Sequence, residues 1–327
     1  CDQVARIQPP YVRPSAAKRN PAIFPGAVPS DTPTVTRTYA FDLNWKDQGY
    51  LRIATPTYNW KSTGLWAPAE QMIRVTVSGA TASELSNVWV RIGEHSDRLY
   101  PTSSNVAGDK FYRYPSVTMR ARLNVGENWV RSPYGGSIVL ESGRALDKVI
   151  TVEVAGAVQM PYLNVGETSE AEWLAVRSSP VPYAQLESDI AVILVPSSEV
   201  SGLSFADAVN TANYYSQVGR LHNELSGLSA SDVITHQPPM GKYRHVEDVQ
   251  ISAGWGHSGY PMMYYNGWHL GVPQEYIYRS AGWGVWHELG HDYQMGAWSY
   301  VFGTEVTVNL WSLFAQERLY GNSGLVD

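Results

Sequence analysis

Residues 282–294 read Gly-Trp-Gly-Val-Trp-His-Glu-Leu-Gly-His-Asp-Tyr-Gln, and this pattern predicts a helix that carries a metal site. His287 and His291 are one helical turn apart, so both imidazoles point from one face and can reach the same ion. Glu288 then lies beside the ion, where it can act on a bound water without being a ligand. In a chain of this composition the H-E-x-x-H pattern arises by chance on the order of once in a hundred sequences. A surface helix with two unrelated histidines is therefore disfavoured.

The residues around this motif predict that the helix is buried. Trp283, Val285, Trp286 and Leu289 are apolar or aromatic, and histidines in such surroundings need polar partners. Gly290 costs a helix about 1 kcal/mol relative to alanine. We therefore expect another element, or a substrate, to approach the helix closely at that residue.

A catalytic zinc site needs a third protein ligand and one open position. The next predicted helix covers residues 304–320, with Thr304 as its cap. Glu305 in its first turn is the candidate third ligand, and Asn309, one turn later, can orient a ligating histidine through a hydrogen bond. Taken alone, Glu305 also fits an ordinary first-turn glutamate that is favoured by the helix dipole. Glu317 is the competing carboxylate, but its polar neighbours indicate a solvated position.

Upstream of the motif, the pattern from about residue 167 onward predicts alternating strands and helices. An apolar run over 190–195 indicates a buried strand, and 246–251 indicates an exposed or edge strand that an extended substrate can pair with. The predicted helices are 170–176, 204–225 with Ser204 as cap and Gly227 just beyond its end, 281–296 and 304–320. This order is typical of an α/β domain, and we place its boundary near residue 166.

The first half of the chain has the signature of antiparallel β structure. Ile73, Val75 and Val77 alternate with polar residues, and the same period of two recurs over 88–92. Further strands are predicted over 137–141 and 149–154, separated by turns rich in glycine and proline. An antiparallel β-sandwich is therefore expected over residues 34–166. Residues 1–33 contain seven prolines up to Pro33 and predict an extended arm.

Composition and charge exclude several classes of partner. The chain has 24 Lys and Arg against 30 Asp and Glu, a net charge of −6, and no basic run that can follow a phosphate backbone. Nucleic acid is therefore not expected as a partner. No run of about 18 apolar residues occurs, so no membrane-spanning helix is predicted. Cys1 is the single cysteine, which excludes a disulfide within the chain.

Cys1 also bears on where the protein acts. A cysteine in the first position is typical of a mature bacterial lipoprotein, which would place the protein at the cell surface or in a secreted form. The alternative is a domain that has been cut from a longer protein and numbered from one.

Aromatic residues are unusually abundant and suggest contacts with carbohydrate. The chain has 12 Trp and 21 Tyr but only 6 Phe, and Trp and Tyr combine a flat apolar face with a polar edge. Packing in the sheets is the alternative interpretation for any one of them. In the glycine- and tyrosine-rich segment 254–267, His257 and Tyr260 are candidate oxyanion donors, and an ordinary loop histidine is the alternative interpretation of His257. The candidate contacts with substrate are Trp255, His257, Tyr260, Tyr264, Tyr265, Trp268 and Trp283.

Five motifs resemble those of one enzyme family. They are Ser62-Thr-Gly-Leu-Trp-Ala-Pro-Ala69, Ser132-Pro-Tyr-Gly-Gly136, Gly256-His-Ser-Gly-Tyr-Pro261, the segment 282–294, and Thr304-Glu-Val-Thr-Val-Asn309. Together they resemble the enhancin-like, mucin-directed zinc metallopeptidases (peptidase family M60) of viruses and bacteria, over most of residues 40–320. The resemblance implies an α+β, multidomain chain in which an antiparallel β-sandwich precedes a zincin, gluzincin-like catalytic domain over 167–327. That domain is expected to be incomplete, because it usually continues into further helices in the family.

The resemblance implies the same site residues as the spacing does. His287, His291 and Glu305 would hold one Zn²⁺ per chain, and Glu288 would be the base that activates its water. The leading hypothesis is a monomeric zinc endopeptidase that cuts O-glycosylated, mucin-like proteins. A glycan-binding adhesin module with a structural or residual zinc site is the alternative, and Glu288 discriminates because a structural zinc needs no base. A zinc aminopeptidase ranks last, because no exopeptidase signature accompanies the motif.

Overall fold

The computed structural model describes residues 24–45, 48–106, 110–143, 145–272, 282–297, 299 and 302–321. Of the arm predicted over 1–33, residues 1–23, with Cys1, lie outside this range, and so do the last six residues of the chain. None of the helices described is both long and apolar enough to cross a membrane.

Eight antiparallel strands form the first sheet. They are β1 (Thr34–Asp42), β2 (Asn59–Ala67), β3 (Ile73–Ser78), β4 (Val88–Ile92), β5 (Met119–Arg122), β6 (Gly126–Val130), β7 (Gly136–Ser142) and β8 (Val149–Gln159). The order across the sheet is β5-β4-β7-β2-β8-β3-β6, and β1 pairs with the other edge of β8. The predicted strands over 73–78, 88–92, 137–141 and 149–154 are confirmed.

The first sheet has two four-stranded halves that enclose one core. β2 meets β8 only through the pairs Leu65↔Gln159 and Trp66↔Val158, so β5-β4-β7-β2 and β6-β3-β8-β1 are joined at a corner. The alternating apolar residues of β3, β4 and β8 all point into the space between the halves. The antiparallel arrangement is as predicted, but the halves share one continuous hydrogen-bonded sheet instead of forming two separate sheets.

The second sheet has six strands with helices packed against it. Its strands are β9 (Tyr162–Asn164), β10 (Tyr183–Glu187), β11 (Ala191–Pro196), β12 (Tyr243–Asp248), β13 (Gly256–His257) and β14 (Met262–Tyr265). The helices are α1 (Glu170–Val176), α2 (Ser197–Val200), α3 (Phe205–Leu225), α4 (Gly282–Tyr293), α5 (Thr304–Thr307) and α6 (Asn309–Tyr320). The predicted mixed α+β fold is confirmed. The boundary near residue 166 stays a prediction; the second sheet already begins with β9.

The predicted edge strand over 246–251 is wrong. The strand order is β13-β14-β12-β11-β10-β9, so β12 lies in the middle of the sheet, and all six of its residues are buried. Its polar residues are typical of an exposed strand. They are nevertheless buried, because charged partners from the first half of the chain pair with them. Arg244 is paired with Glu94, and Asp248 with Arg113. The strands at the two edges are β13 and β9.

Of the two helix caps predicted from the sequence, the one at Ser204 is confirmed and the one at Thr304 is wrong. Ser204 caps α3, since its hydroxyl accepts a hydrogen bond from the Asp207 amide at 3.1 Å, and Gly227 follows the helix with a φ of 65°. The prediction that Thr304 is a cap is wrong, because Gly303 precedes α5 and Thr304 is its first residue. Val308 links α5 to α6 with helical angles.

The close approach predicted at Gly290 is made by the C-terminal helices. A Cβ at this position would lie 2.9 Å from Val308 Cγ2 and 3.1 Å from the Trp311 Cβ. The absence of a side chain therefore lets α4 touch the segment that joins α5 to α6. On its other side, α4 is fastened to α3 by a hydrogen bond of 2.9 Å from Trp286 Nε1 to the Tyr214 hydroxyl. This packing brings the motif helix and the start of α5 together.

Candidate metal centre

Three donor atoms from α4 and α5 meet at one point. The Nε2 atoms of His287 and His291 are 3.1 Å apart, and Glu305 Oε2 lies 3.1 Å from the first and 3.4 Å from the second. In a tetrahedral zinc site with bonds of about 2.05 Å, adjacent ligand atoms are about 3.3 Å apart. The triangle therefore has the size of one face of a tetrahedral site. Within the described part of the chain, this is the one group of acidic, histidine and cysteine side chains compact enough to hold a metal.

Hydrogen bonds fix both imidazoles in the form that binds a metal. His287 Nδ1 lies 2.9 Å from Asn309 Oδ1, and His291 Nδ1 lies 3.0 Å from Gln294 Oε1. The amide nitrogens of Asn309 and Gln294 donate to the carbonyls of Glu305 and Thr304, which turns each amide oxygen toward its histidine. Each Nδ1 is then a donor, so each Nε2 keeps a free lone pair directed at the same point.

Glu288 lies beside the triangle on the same helix. Burial raises the pKa of its carboxyl, while the nearby His287, His291 and His257 act in the opposite direction. A buried carboxylate with a raised pKa is a stronger base than one in water. A Cβ built on Gly256 would lie 3.3 Å from Glu288 Cγ, so the glycine lets strand β13 lie directly against the base.

The strand β13 is held beside the centre from two sides. Asp97, in the loop after β4, accepts hydrogen bonds from the Ser252 amide at 2.6 Å and from His257 Nε2 at 2.8 Å. Burial alone would lower the pKa of His257, but the bond and charge of Asp97 outweigh it and the net shift is upward. On the other side, the Gly259 amide donates to Asp292 Oδ1 at 3.0 Å. The first half of the chain therefore supports the strand next to the base.

The two predicted oxyanion donors already have partners. His257 Nδ1 lies 2.9 Å from the Ser258 carbonyl, so both of its ring nitrogens are engaged. The Tyr260 hydroxyl donates toward the backbone carbonyls of Lys242 and Tyr58, at 3.1 and 3.3 Å. The structure does not bring this hydroxyl into the metal cluster.

The remaining aromatic candidates separate into packed and exposed residues. Tyr264 is fully buried in the core, and the Trp268 ring packs where Gly284 leaves room, within 2.1 Å of a Cβ built there. Trp255 is 72% exposed beside β13, and Trp283 is exposed in the first turn of α4. Only the exposed side chains can meet a ligand without rearrangement.

Sequence reasoning missed two residues that position the site. Gln294 orients His291 and is part of the motif segment, where an amide three residues after a ligating histidine is a usable signal. Asp97 holds His257, but it lies 160 residues away in sequence and no local pattern indicates it.

Two family profiles match the chain and divide it between them. Residues 156–325 match the family described as Peptidase M60, enhancin and enhancin-like, and residues 41–155 match the N-terminal domain of M60-like peptidases. The chain belongs to peptidase family M60. The donor set described above fits the metal that a metallopeptidase of this family implies.

The curated relatives of this M60 chain are much longer than it is. TRPM8 channel-associated factor 2 of Homo sapiens is 34% identical over 271 residues, which is 80% of this chain and 27% of the relative. The TRPM8 channel-associated factor homolog of Danio rerio is 34% identical over 270 residues, again 80% of this chain and 27% of the relative. The chain thus spans about a quarter of the length of these relatives.

Solved structures with the same fold include bacterial M60 enzymes. The M60 catalytic domain of Clostridium perfringens ZmpC, in complex with the sialyl T antigen, has a TM-score of 0.68 at 14% identity, covering 87% of this chain and 57% of that one. The ZmpB metallopeptidase of the same organism has a TM-score of 0.65 at 16% identity, with the same coverage. At these identities the match shows the fold.

Proposed function

We propose that this M60 chain is a zinc-dependent endopeptidase with its catalytic centre at His287, His291 and Glu305. The observation that carries the proposal is the triangle of donor atoms with Glu288 beside it. Two neutral imidazoles and one carboxylate suit zinc, and three protein ligands leave one position for water. The bound metal would lower the pKa of that water toward about 7 and polarise the scissile carbonyl.

Glu288 supplies the proton transfers. Its carboxylate takes a proton from the attacking water and passes it to the leaving amine, which general acid–base catalysis requires of one group with a suitable pKa. Burial of the Glu288 carboxyl, which lies against β13, raises its pKa and makes the carboxylate a better base. Asn309 and Gln294 keep the two imidazoles in place during these steps.

The free edge of β13 is the candidate binding site for the peptide substrate. Within the described residues β13 pairs with β14 alone, through Gly256↔Tyr264 and His257↔Met263. An extended peptide can add to such an edge by backbone hydrogen bonds. Because Gly256 lies against Glu288, a peptide paired there would pass the base. The substrate pairing predicted for 246–251 is thus moved to β13.

We propose mucin-like, O-glycosylated proteins as the substrate class. Two fold neighbours support this, since their structures are of complexes with the sialyl T antigen and the T-antigen. The test compares cleavage of one mucin-type glycoprotein before and after enzymatic removal of its O-glycans. We expect cutting of the glycosylated form alone. Equal cutting of both forms would refute the glycan requirement and leave the peptidase proposal standing.

A binding role without hydrolysis is the second candidate. The relatives named TRPM8 channel-associated factors are named for an association, not for a reaction. In that case the metal site would be structural or residual, and the protein a glycan- or protein-binding module. The variant Glu288→Gln separates the two roles, because binding does not need a general base and hydrolysis does.

A further inference from the structure

A cavity of about 360 Å³ lies next to β13, where the two halves of the chain meet. We call it the aromatic cavity. It is lined by Ser104, Asn105, Tyr112, Gln250, Ile251, Gly254, Trp255 and Tyr265. Three of these come from the loop between β4 and β5 of the first sheet, and the others flank strands of the second. Its volume is within the range of pockets that hold small ligands.

Internal hydrogen bonds build the aromatic cavity before any ligand arrives. Gln250 accepts from the Tyr112 amide at 2.8 Å and donates to the carbonyls of Asn105 and Lys110, at 2.9 and 3.0 Å. Asn105 Nδ2 donates in turn to the Gly254 carbonyl. The buried pair of Arg113 with Asp248, at 2.8 Å, fastens the same loop to β12. A cavity fixed in this way has little ordering cost on binding.

Strand geometry places the cavity on the opposite face of β13 from the base. Side chains alternate between the two faces of a strand. The Cβ position of Gly256 faces Glu288, whereas His257 contacts Asp97 of the first half. Trp255, which precedes Gly256, lies on the face of His257 and packs edge-on against Tyr265, with ring centroids 5.9 Å apart. In a peptide paired with β13, the side chains on one of its two faces would therefore lie on the same side as the aromatic cavity.

The lining favours an apolar group over a charged one or a sugar. Among the residues that the structure describes, no charged side chain lines the aromatic cavity. The amide nitrogens of Asn105 and Gln250 already donate to backbone carbonyls, so these two amides are less able to bind the hydroxyls of a sugar. What remains is aromatic surface, with Trp255 72%, Tyr112 62% and Tyr265 38% exposed. Contiguous exposed aromatic surface of this kind marks a binding site.

We propose that the aromatic cavity is a specificity subsite that takes an apolar side chain of a peptide paired with β13. The proposal rests on the proposed function, because it assumes that the substrate follows this edge strand. It assigns a role in substrate selection to the first half of the chain, which supplies Tyr112 and Asn105.

The first test measures binding without catalysis. The Glu288→Gln protein is labelled with ¹⁵N-tryptophan, and the indole signal of Trp255 is identified by its loss in Trp255→Phe. Pentapeptides Ser-Thr-Leu-Thr-Ser and Ser-Thr-Asp-Thr-Ser, blocked at both ends, and galactose are titrated separately. We expect a saturable shift with the leucine peptide, at least roughly tenfold weaker binding of the aspartate peptide, and no shift with galactose. No saturation with the leucine peptide, or a shift with galactose, overturns the proposal.

Variants identify the cavity as the place of binding. Trp255→Ala is expected to weaken binding of the leucine peptide roughly tenfold, whereas Trp255→Phe keeps an aromatic face and should retain most of it. Leu174→Ala, at an exposed apolar position of α1 far along the sheet, is the matched control. Binding that survives Trp255→Ala unchanged would contradict the assignment.

The second test measures cleavage and distinguishes a failure of the subsite proposal from a failure of the proposed peptidase function. Cut sites in a set of O-glycosylated proteins are sequenced for the wild type, Trp255→Ala and Leu174→Ala. We expect enrichment of apolar residues at one position in the wild type and in Leu174→Ala, and its loss in Trp255→Ala. Cutting without such enrichment contradicts the subsite alone. No cutting by any protein contradicts the proposed function, while the binding titration still decides the subsite.

Discussion

At the scale of single residues, two amides hold the proposed histidine ligands of the candidate metal centre. Asn309 and Gln294 each accept a hydrogen bond from a histidine and are themselves held by backbone carbonyls of the α5 turn. The turn that carries Glu305 therefore also fixes the tautomers of His287 and His291. Ligands and orienting groups form one connected unit.

Replacing an orienting amide should weaken the metal site without removing a ligand. In Gln294→Leu the His291 Nδ1–H loses its acceptor, and we expect zinc affinity to fall about 10- to 100-fold. Competition with a chromophoric chelator measures the affinity. Gln237→Leu is the control, because its amide donates to the Asp232 carbonyl outside the cluster. Unchanged affinity in Gln294→Leu would show that the amide does not orient the ligand.

The residues of the centre could be predicted from sequence to the extent that their spacing is local. His287 and His291 are separated by one helical turn, and Glu305 and Asn309 by another, so each pair had to share a helix face. The contact of Asp97 with His257 could not be predicted, because it joins different halves of the chain. Trp255 is exposed whereas Tyr264 is buried, a difference that one sequence does not reveal.

At the scale of elements, the contact of α4 with the α5–α6 segment brings Glu305, the proposed third ligand, to the two histidines. Val308 and Trp311 touch α4 at Gly290, one residue before His291. Any side chain at this position must push the two helices apart. The same glycine that weakens the helix by propensity thus permits the geometry of the centre.

We expect Gly290→Ala to destabilise the protein despite the better helix propensity of alanine. The new Cβ would lie 2.9 and 3.1 Å from carbons of Val308 and Trp311, and such overpacking costs about 1–3 kcal/mol. Urea denaturation measures the free energy of unfolding. Gly202→Ala, with nothing within 4 Å of its Cβ position, is the control. A stability gain in Gly290→Ala would mean that the helices are not in close contact there.

Strand β12 shows why the order of the strands in the second sheet could not be predicted from the sequence. Four of the five residues from Arg244 to Asp248 are polar, which is typical of an exposed strand, yet all are buried. Periodicity reports only whether side chains are polar. Glu94 and Arg113, which neutralise this strand, lie at least 135 residues away along the chain. Of the strand predicted over 246–251, only residues 246–248 belong to β12, and the predicted place at the edge of the sheet was wrong.

At the scale of the whole molecule, two buried ion pairs connect the loop between β4 and β5 to strand β12 of the second sheet. Arg244 of the second sheet pairs with Glu94 of the first half, and both side chains are at most 1% exposed. Glu94 also accepts from Ser137 Oγ at 2.7 Å and from Gln185 Nε2. Together with the pair of Arg113 and Asp248, this network holds the first half of the chain against strand β12 of the second sheet.

Breaking one of these pairs should cost far more than breaking a surface pair. Arg244→Met leaves Glu94 charged and buried, and we expect a loss of about 3–5 kcal/mol in the free energy of unfolding. Arg220→Met is the matched control, because its pair with Asp189 is 57% and 56% exposed and is expected to be worth at most about 1 kcal/mol. Adding Glu94→Gln to Arg244→Met should recover part of the loss. Similar small losses in both single variants would argue against a locked interface.

His287, His291 and Glu305 are proposed to hold a catalytic zinc whose water is activated by Glu288. The most direct test measures zinc content and mucin cleavage for the wild type and Glu288→Gln side by side. We expect one zinc per chain in both, and a fall in cleavage rate of about 10²–10⁴-fold in the variant alone. Undiminished cleavage by Glu288→Gln, or no bound zinc in the wild type, would contradict the account.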